Sequence, residues 1–371
     1  LMHEAPKRVL LIGGSLGGGW QEAVKHPSVE LVDCVELDGS LFAEDGGERV
    51  GRDTIVSRRD TADDGARIAA SARVRFIAGD GRFHLASGRE RYDVVVVTAP
   101  APVNLQWNRF FTREFFAIAR RSLAPGGLFA ISHPSSENYL GAETARALRC
   151  VELTLREVAP SVTVLPGGTV HFIAGEGPFR ADAMPARFDE RGIDAAFVSA
   201  DYLPYRLTEE RRSELRSDLD RAGEVRRNRD SRPVLPLYEL AVEGKRMGSA
   251  LAGVLGFFAA VPGPSVALVL GGALLALFAA SRAAMRPRLA VWTVGFGSFL
   301  LQLLVLHAFQ AFSGLLYHAI VLLTAFFMGG AAAGACCALR RTRWGAATLR
   351  AIHACFIALA AALAAGVAVE G

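Results

Sequence analysis

The stretch from Val9 to Asp38 constrains the fold more than any other part of the chain, because it has the pattern strand, glycine-rich turn, helix, strand. At a glycine turn after a buried strand no Cβ keeps a ligand away from the backbone. A carboxylate at the tip of the next strand can accept both ribose hydroxyls. The stretch therefore predicts a doubly wound, Rossmann-like α/β sheet whose nucleoside-binding residues are Gly13, Gly14, Gly17 and Glu36.

The same turn indicates a ligand without phosphates. Its glycines follow the pattern GGxxGGG rather than GxGxxG, and Glu22 lies in the first turn of the following helix. An acid at a helix N-terminus disfavours a pyrophosphate there. We therefore expect S-adenosylmethionine or its decarboxylated form rather than a dinucleotide, the alternative being a tight turn that binds nothing.

A second part of the predicted site follows the strand Arg73 to Ile77. Loops at the carboxyl ends of strands face the ligand in a doubly wound sheet. Asp80 and Gly81 lie in such a loop, so Asp80 could accept a hydrogen bond from an adenine amino group. The alternative is an ordinary turn aspartate before a glycine.

Five further stretches complete the predicted sheet domain. Tyr92–Val97 is apolar on both faces, as a central parallel strand must be. Thr112 to Leu123 has helical periodicity with Thr112 as its N-cap. Residues 161–165 and 169–174 predict an antiparallel hairpin, and the polar stretch 43–72 predicts a loop with a weak helix.

Composition changes sharply near Lys245, which predicts a second domain in the membrane. Charged residues are dense up to Arg246 and rare afterwards, although 51% of the whole chain is hydrophobic. If all five apolar segments cross, basic residues flank them on one side, which places the first domain in the cytoplasm of a multi-pass cell-membrane protein; the first two segments are short and could instead form a tilted hairpin or a re-entrant pair. The apolar segments are 248–261, 264–281, 289–312, 315–339 and 351–369. The expected domains are therefore 1–177, a polar appendix or linker at 178–245, and an α-helical transmembrane domain at 246–371.

Other classes of function find no support in the sequence. The net charge of +4 is modest and no basic stripe carries interleaved aromatics, so we expect a lipid bilayer rather than a nucleic acid as a partner. The five cysteines form no CxxC pair, and no histidine has metal-ligand spacing, so no metal is expected. The chain has no signal peptide and enters its first strand within eight residues, which suggests a longer parent protein.

With these motifs in view, the stretch from Arg8 to Ala174 resembles the nucleotide-binding domain of the spermidine synthase, or polyamine aminopropyltransferase, family. The matching pieces are VLLIGGSLGG, VELD, GDGR, YDVVVV and LAPGG. PAPVNLQWNRFFTREFF, PSSENYL and NRDSRPV resemble more closely the members of that family that are fused to transmembrane helices.

This resemblance implies transfer of an aminopropyl group from decarboxylated S-adenosylmethionine to a small-molecule amine acceptor. The family places its catalytic base in a DSSDP-like turn after the fourth strand, but here Thr98 and Ala101 replace the aspartates. Transfer without them requires other groups in loops expected to face the ligand, and the candidates are Asn104, Asn108 and Glu137.

Three functions stay open on the sequence. The first is a membrane-anchored aminopropyltransferase-like protein of altered or lost activity. The second is a methyltransferase that uses S-adenosylmethionine, since the same sheet and carboxylate would serve it. The third is a noncatalytic membrane scaffold or sensor. A homo-oligomer is compatible with each of them.

Overall fold

A computed structural model of the chain describes residues 1–38, 48–49, 54–57, 73–137, 139–177, 179–195, 198, 201–247, 295–303, 305–306 and 316–340. The chain divides into two units, Leu1–Gly256 and Phe257–Gly371.

The first unit is built on one mixed sheet of nine strands among the described residues, in the order β3-β4-β5-β2-β1-β6-β7-β9-β8. Neighbours from β5 to β7 pair in parallel, and β7, β9 and β8 pair antiparallel. The strands are β1 Arg8–Ile12, β2 Leu31–Glu36, β3 Glu48–Arg49, β4 Thr54–Ser57, β5 Arg73–Ala78, β6 Tyr92–Val97, β7 Leu123–Pro134, β8 Ser161–Leu165 and β9 Thr169–Gly175. The predicted doubly wound sheet and its closing hairpin are confirmed.

Side chains on alternate positions of β1 enter two separate cores. Leu10 and Ile12 join a large cluster on one face of the sheet, whereas Val9 and Leu11 join a smaller cluster with Trp20 on the other. Side chains that alternate along a strand point to opposite faces, so both faces of the central sheet are covered. This double burial fixes the strand tips that form the site.

The hairpin of β3 and β4 differs from the loop and weak helix expected over 43–72. Thr54–Ser57 pairs antiparallel with β5, Ile55 facing Phe76, and extends the sheet beyond a core of seven strands. Its run of β-branched residues favours a strand over a helix. The weak helix expected near Ile68 lies outside the described residues.

Four helices of the first unit begin at a residue whose side-chain oxygen caps them. The Thr112 hydroxyl accepts from Phe115 N–H at the start of α4, and Thr208 caps α8 through Arg211 N–H. The helices are α1 Gly19–Val24, α2 Gly81–Ser87, α3 Leu105–Asn108, α4 Arg113–Arg121, α5 Ala142–Arg156, α6 Met184–Arg191, α7 Tyr202–Arg206, α8 Glu209–Arg221 and α9 Leu235–Arg246.

The polar appendix expected at 178–245 packs into the core of the sheet domain. Leu215 and Leu219 of α8 and Leu235 of α9 belong to the same buried cluster as Leu10 and Phe129. Helices α8 and α9 both contact α5. The charged faces of these helices are therefore only their outer surfaces, and the segment completes the fold.

In the second unit, the described residues include one long helix, α10 Leu316–Arg340, and helical residues at 295–303 and 305–306. The apolar segments expected at 248–261, 264–281 and 351–369 lie outside the described residues. Counting the described residues alone, no helix is both long and apolar enough to cross a bilayer.

Candidate functional site

A cavity of about 180 Å³ lies at the carboxyl ends of β1, β2, β5 and β6. Five of the six residues predicted to bind the nucleoside line it: Gly13, Gly14, Glu36, Asp80 and Gly81. Thr98, Ala99, Trp107, Arg109 and Phe110 complete much of the wall. A larger cavity of about 310 Å³, near the start of β7 at Leu123, contains none of the predicted site residues.

The glycine bend after β1 packs directly against the end of β6. Gly13 and Gly14 have positive φ angles of 75° and 78°. A Cβ on Gly13 would lie 2.6 Å from the Thr98 carbonyl oxygen, and one on Gly14 would lie 3.0 Å from the Thr98 side chain. Both positions therefore require glycine, and the bend holds Thr98 at the cavity. Gly17 is exposed and does not line the cavity, in contrast to the prediction, because the bend has already turned into a helical turn at Ser15–Gly17.

Glu36 at the tip of β2 points to the glycine bend. The Ser15 N–H donates to its Oε1 at 2.8 Å, and the residue is half-buried in the cavity wall. A carboxylate held in this way is fixed in orientation before any ligand arrives, which lowers the entropy lost on binding. The predicted juxtaposition of carboxylate and glycine bend is thus present in the structure.

Asp80 lines the cavity, but its carboxylate is already bound within the chain. Oδ1 accepts from Phe83 N–H at 2.8 Å as the N-cap of α2. The carboxylate also pairs with the Arg109 guanidinium, and the two side chains are only 6% and 4% exposed. The free adenine acceptor expected from the sequence is therefore replaced by a capped and ion-paired carboxylate.

Gly81 serves packing at the same place. A Cβ on Gly81 would lie 2.3 Å from Cγ2 of Ile12, so only glycine lets α2 start this close to β1. The residue lines the cavity as predicted, and its missing side chain is what brings Asp80 near the glycine bend.

Arg109 is a site residue that the sequence did not indicate. Burial lowers the pKa of its guanidinium to about 10, against the opposing field of Asp230, so it stays a cation at neutral pH. The guanidinium lies over the Phe110 ring at 4.8 Å. Its Nε has no hydrogen-bond partner among the described residues. Nothing in the local sequence distinguishes it from the other 40 basic side chains, because its partner Asp80 is 29 positions away.

The loop between α8 and α9 supports this wall of the cavity through Asp230. Asp230 forms a buried, two-pronged ion pair with Arg82 in the first turn of α2, with Nη1 to Oδ1 at 2.9 Å. Arg82 Nη1 also donates to the Arg109 carbonyl at 3.1 Å. The backbone N–H of Asp230 donates to Glu114 at 2.9 Å. One loop therefore ties α2, α4 and the chain at Arg109 together.

Asn228, in the same loop between α8 and α9, is a second buried anchor. It is fully buried, and its Nδ2 donates to Asn108 Oδ1 at 2.8 Å and to the Phe111 carbonyl at 3.0 Å. Its Oδ1 accepts from Val234 N–H and Leu235 N–H at the start of α9. Every hydrogen-bonding position of this amide is thus used inside the protein.

None of the three candidate catalytic residues lines the cavity. Asn104 caps α3 by accepting from Trp107 N–H at 3.0 Å. Asn108 is 3% exposed because Asn228 binds its side chain. Glu137 pairs with Arg206 in a separate pocket beside Gly167. The expectation that these side chains face the ligand is corrected by those contacts.

The charges that line the cavity in the described part of the chain are Glu36, Asp80 and Arg109. Thr98 and Ala99, at the end of β6, carry none. No group of three or more metal-ligating side chains occurs among the described residues. The arrangement can hold a ribose at Glu36, but it offers no free carboxylate near Thr98 to accept a proton from an amine.

Comparison with known proteins adds a family match to this geometry. Residues 1–176 match the model of the spermine/spermidine synthase domain. The polyamine aminopropyltransferase of Korarchaeum cryptofilum is 30% identical over 166 residues, which are 45% of this chain and 47% of that protein. The spermidine synthase of Dictyostelium discoideum is 28% identical over 175 residues, 46% of this chain and 56% of that protein. The chain thus spans about half the length of these curated relatives.

Among solved structures, spermidine synthase from Thermotoga maritima is 18% identical, with a TM-score of 0.41 over 59% of this chain and 70% of that chain.

Proposed function

Since this chain belongs, through residues 1–176, to the spermine/spermidine synthase family, we propose that its cavity binds an adenosyl sulfonium nucleoside. The ligand is decarboxylated S-adenosylmethionine or S-adenosylmethionine itself. The observation that carries the proposal is the Glu36 carboxylate, held at 2.8 Å by Ser15 N–H beside the glycine bend and facing the cavity. A carboxylate in this place suits a pair of ribose hydroxyls and repels phosphate.

The reaction that goes with this family is aminopropyl transfer to a small amine. An unprotonated amine must attack the methylene next to the sulfonium in line, so the site needs a base and a group that holds the ammonium. Here the cavity wall next to the bend is Thr98 and Ala99. A threonine hydroxyl does not take a proton near neutral pH, so we expect transfer by this chain to be weak or absent.

Calorimetric titration of the full-length protein tests the proposal. We expect heat of binding with decarboxylated S-adenosylmethionine, S-adenosylmethionine or methylthioadenosine, and binding at least tenfold weaker in Glu36→Gln, since a charge-assisted bond is worth about 1.5–3 kcal/mol. Glu30→Gln changes an exposed carboxylate outside the cavity and is the matched control. Binding of none of the three nucleosides contradicts the proposal and favours a scaffold.

A product assay then separates the enzyme classes. With putrescine and decarboxylated S-adenosylmethionine we expect little or no spermidine. Rapid spermidine formation would show that Thr98 and Ala99 are sufficient, and would overturn the inference from the missing aspartates. Methyl transfer from S-adenosylmethionine to a small acceptor would favour the methyltransferase instead.

We also propose that the second unit attaches the protein to a lipid bilayer, with the α/β domain on the cytoplasmic side. The proposal is supported by the scarcity of charge after Arg246 and by exposed apolar side chains on α10, such as Phe326 at 77% and Val321 at 66% exposure. Alkaline extraction of membranes should leave the protein in the pellet, and protease added to intact cells should not cleave the first unit. Release into the supernatant would contradict the attachment.

A further inference from the structure

A second cavity, of about 310 Å³, lies at the opposite edge of the sheet from the nucleoside cavity. The nucleoside cavity lies at the carboxyl ends of the parallel strands. The second cavity lies where β7 begins, at Leu123, which pairs with Tyr92, the first residue of β6. The two cavities share no lining residue, so a ligand of the second one is independent of the proposed nucleoside.

A bulge at the start of β7 forms one wall of this second cavity. Between the pairs that Tyr92 and Val94 make, β7 contains three more residues than β6, and they lie within 124–127. Gly126 has a positive φ of 75°, and a Cβ on Gly127 would lie 2.9 Å from two carbonyl oxygens. Bulges of this kind bend a strand and are frequent next to binding sites. The sequence of the turn therefore specifies the wall, most of which lines the cavity.

The interior of the second cavity is apolar. Phe116, Phe129 and Leu155 form its buried wall and are only 1–3% exposed. Val158 and Ala159 line it as half-buried residues, so apolar surface stays open to water. A hydrocarbon chain that covers this surface is stabilised in proportion to the area it buries. The volume is at the lower end of the roughly 300–1,000 Å³ of ligand cavities, which fits one short chain rather than a two-chain lipid.

Three exposed arginines give the second cavity a positive rim. Arg91, Arg120 and Arg121 line it, and none of them forms an ion pair within the part of the chain that the structure describes. Arg120 Nη1 donates to the Val158 carbonyl at 2.7 Å, which fixes its guanidinium between the ends of α4 and α5. The opposing charges are Glu176 and the two helix C-termini, each terminus worth roughly half a negative charge. The remaining excess of about one positive charge fits a monoanion.

We propose that the second cavity binds a medium-chain fatty acid. Its hydrocarbon chain packs on Phe116, Phe129 and Leu155, and its carboxylate is bound by the guanidinium groups at the rim. The planar fork of arginine matches the two oxygens of a carboxylate, so two parallel hydrogen bonds can form. This site adds a second ligand class to the protein and does not depend on the proposed nucleoside function.

Photoaffinity labelling of the full-length protein tests the proposal. The probe is a decanoate analogue that carries a diazirine at the end of its chain. Irradiation should attach it to peptides that contain Phe116, Phe129 or Leu155, and mass spectrometry locates the attachment. The apolar sequence after Arg246 measures non-specific labelling in the same sample. Absence of label from all three peptides would overturn the proposal.

Competition against the labelled probe separates the charge from the chain. We expect decanoate to compete at a concentration at least tenfold lower than decanol, because charge-assisted hydrogen bonds to arginine hold the carboxylate. This difference should fall below about threefold in Arg91→Gln/Arg121→Gln and persist in Arg89→Gln, an exposed arginine outside the cavity. Octanoate should compete at least fivefold more weakly than decanoate, since each buried methylene strengthens binding by up to about fourfold.

A variant that occupies the cavity completes the test. Ala159→Phe places a ring on the half-buried wall and should abolish labelling at Phe116 and Phe129, while labelling after Arg246 stays unchanged. Methylthioadenosine should not compete, and competition by it would place the label in the nucleoside cavity. Equal competition by decanol and decanoate, or an arginine double variant that keeps the full difference, would show that the arginines bind no carboxylate. Should Ala159→Phe not fold, the double variant, which changes only exposed side chains, decides the question.

Discussion

Neutralising Asp230 should destabilise the first unit strongly, because it leaves the Arg82 guanidinium buried without a counter-charge. The two side chains are 4% and 10% exposed. Removing one partner of such a pair typically costs about 3–5 kcal/mol. In Asp230→Asn the amide oxygen can still accept one of the two bonds, and the backbone N–H to Glu114 stays. We therefore expect a loss of about 3 kcal/mol, toward the lower end of that range.

Removing both charges should restore most of that stability. In Arg82→Met/Asp230→Leu no charge stays buried, and apolar side chains fill similar volumes. Such replacements are often neutral or stabilising. Here Arg82 also donates to the Arg109 carbonyl at 3.1 Å, and loss of that bond is expected to cost about 1 kcal/mol. The double variant should thus be more stable than Asp230→Asn alone.

Hydrogen exchange measured by mass spectrometry on the full-length protein gives these free energies region by region. Peptides from α2, α4 and α9 report the opening of the core in which the pair lies. Glu30→Gln, which breaks the exposed pair with Lys7, is the control and should change the free energy of opening by less than about 0.5 kcal/mol. A change below about 1 kcal/mol in Asp230→Asn, or a double variant as unstable as the single one, would refute the reasoning.

Asn228, the glycine bend and His26 can each be tested by substitution. Asn228→Asp should lower the free energy of unfolding by about 2–4 kcal/mol in denaturant titration, because it removes two buried donors and brings a charge next to the Asn108 and Phe111 oxygens. An unchanged midpoint would contradict the role of this amide. Gly13→Ala should cost more than about 1 kcal/mol in the same assay, since it combines a φ of 75° with a contact at 2.6 Å, whereas Gly17→Ala meets no atom within 4 Å and should be nearly neutral. Equal effects of the two would count against the packing of the bend on Thr98. Burial lowers the pKa of His26 to about 4, and Arg191 and the N-terminus contribute. In the unfolded chain His26 binds a proton near pH 6.5, whereas in the folded chain it binds one only near pH 4. His26 therefore stabilises the fold above pH 6.5, and this stabilisation is lost as the pH falls toward 4. His26→Gln should flatten the dependence of the free energy of unfolding on pH between about 6.5 and 4, and an unchanged slope would refute this role of His26.

Local sequence patterns were sufficient to predict the sheet and the part of the site that Glu36 and the glycine bend form. Tyr92–Val97 was predicted with the boundaries that the structure shows, because a run of apolar, β-branched residues indicates a buried strand without reference to the rest of the chain. Glu36 and the glycine bend lie on consecutive elements, so their meeting follows from the strand-turn-helix-strand unit alone.

The other half of the site depends on contacts between distant parts of the chain. Arg82 and Asp230 are 148 positions apart, and neither stands in a motif that names its partner. The turn of Asn108 away from the cavity depends likewise on Asn228, 120 positions later. Sequence position indicated that Asn108 lies in a loop near the ligand edge, but only the packing of α9 decides where its amide points.

The buried anchors of the loop after α8 determine where the first domain could be cut from the rest of the chain. A fragment that stopped at residue 176, where the family match ends, would lack Leu219, Asn228 and Asp230. It would expose the apolar side of α5 to water, would leave the Arg82 guanidinium of α2 without its counter-charge, and would be prone to aggregate. A fragment that runs to the end of α9 at Arg246 retains all three, and is the shortest piece we would choose for crystallisation with a nucleoside.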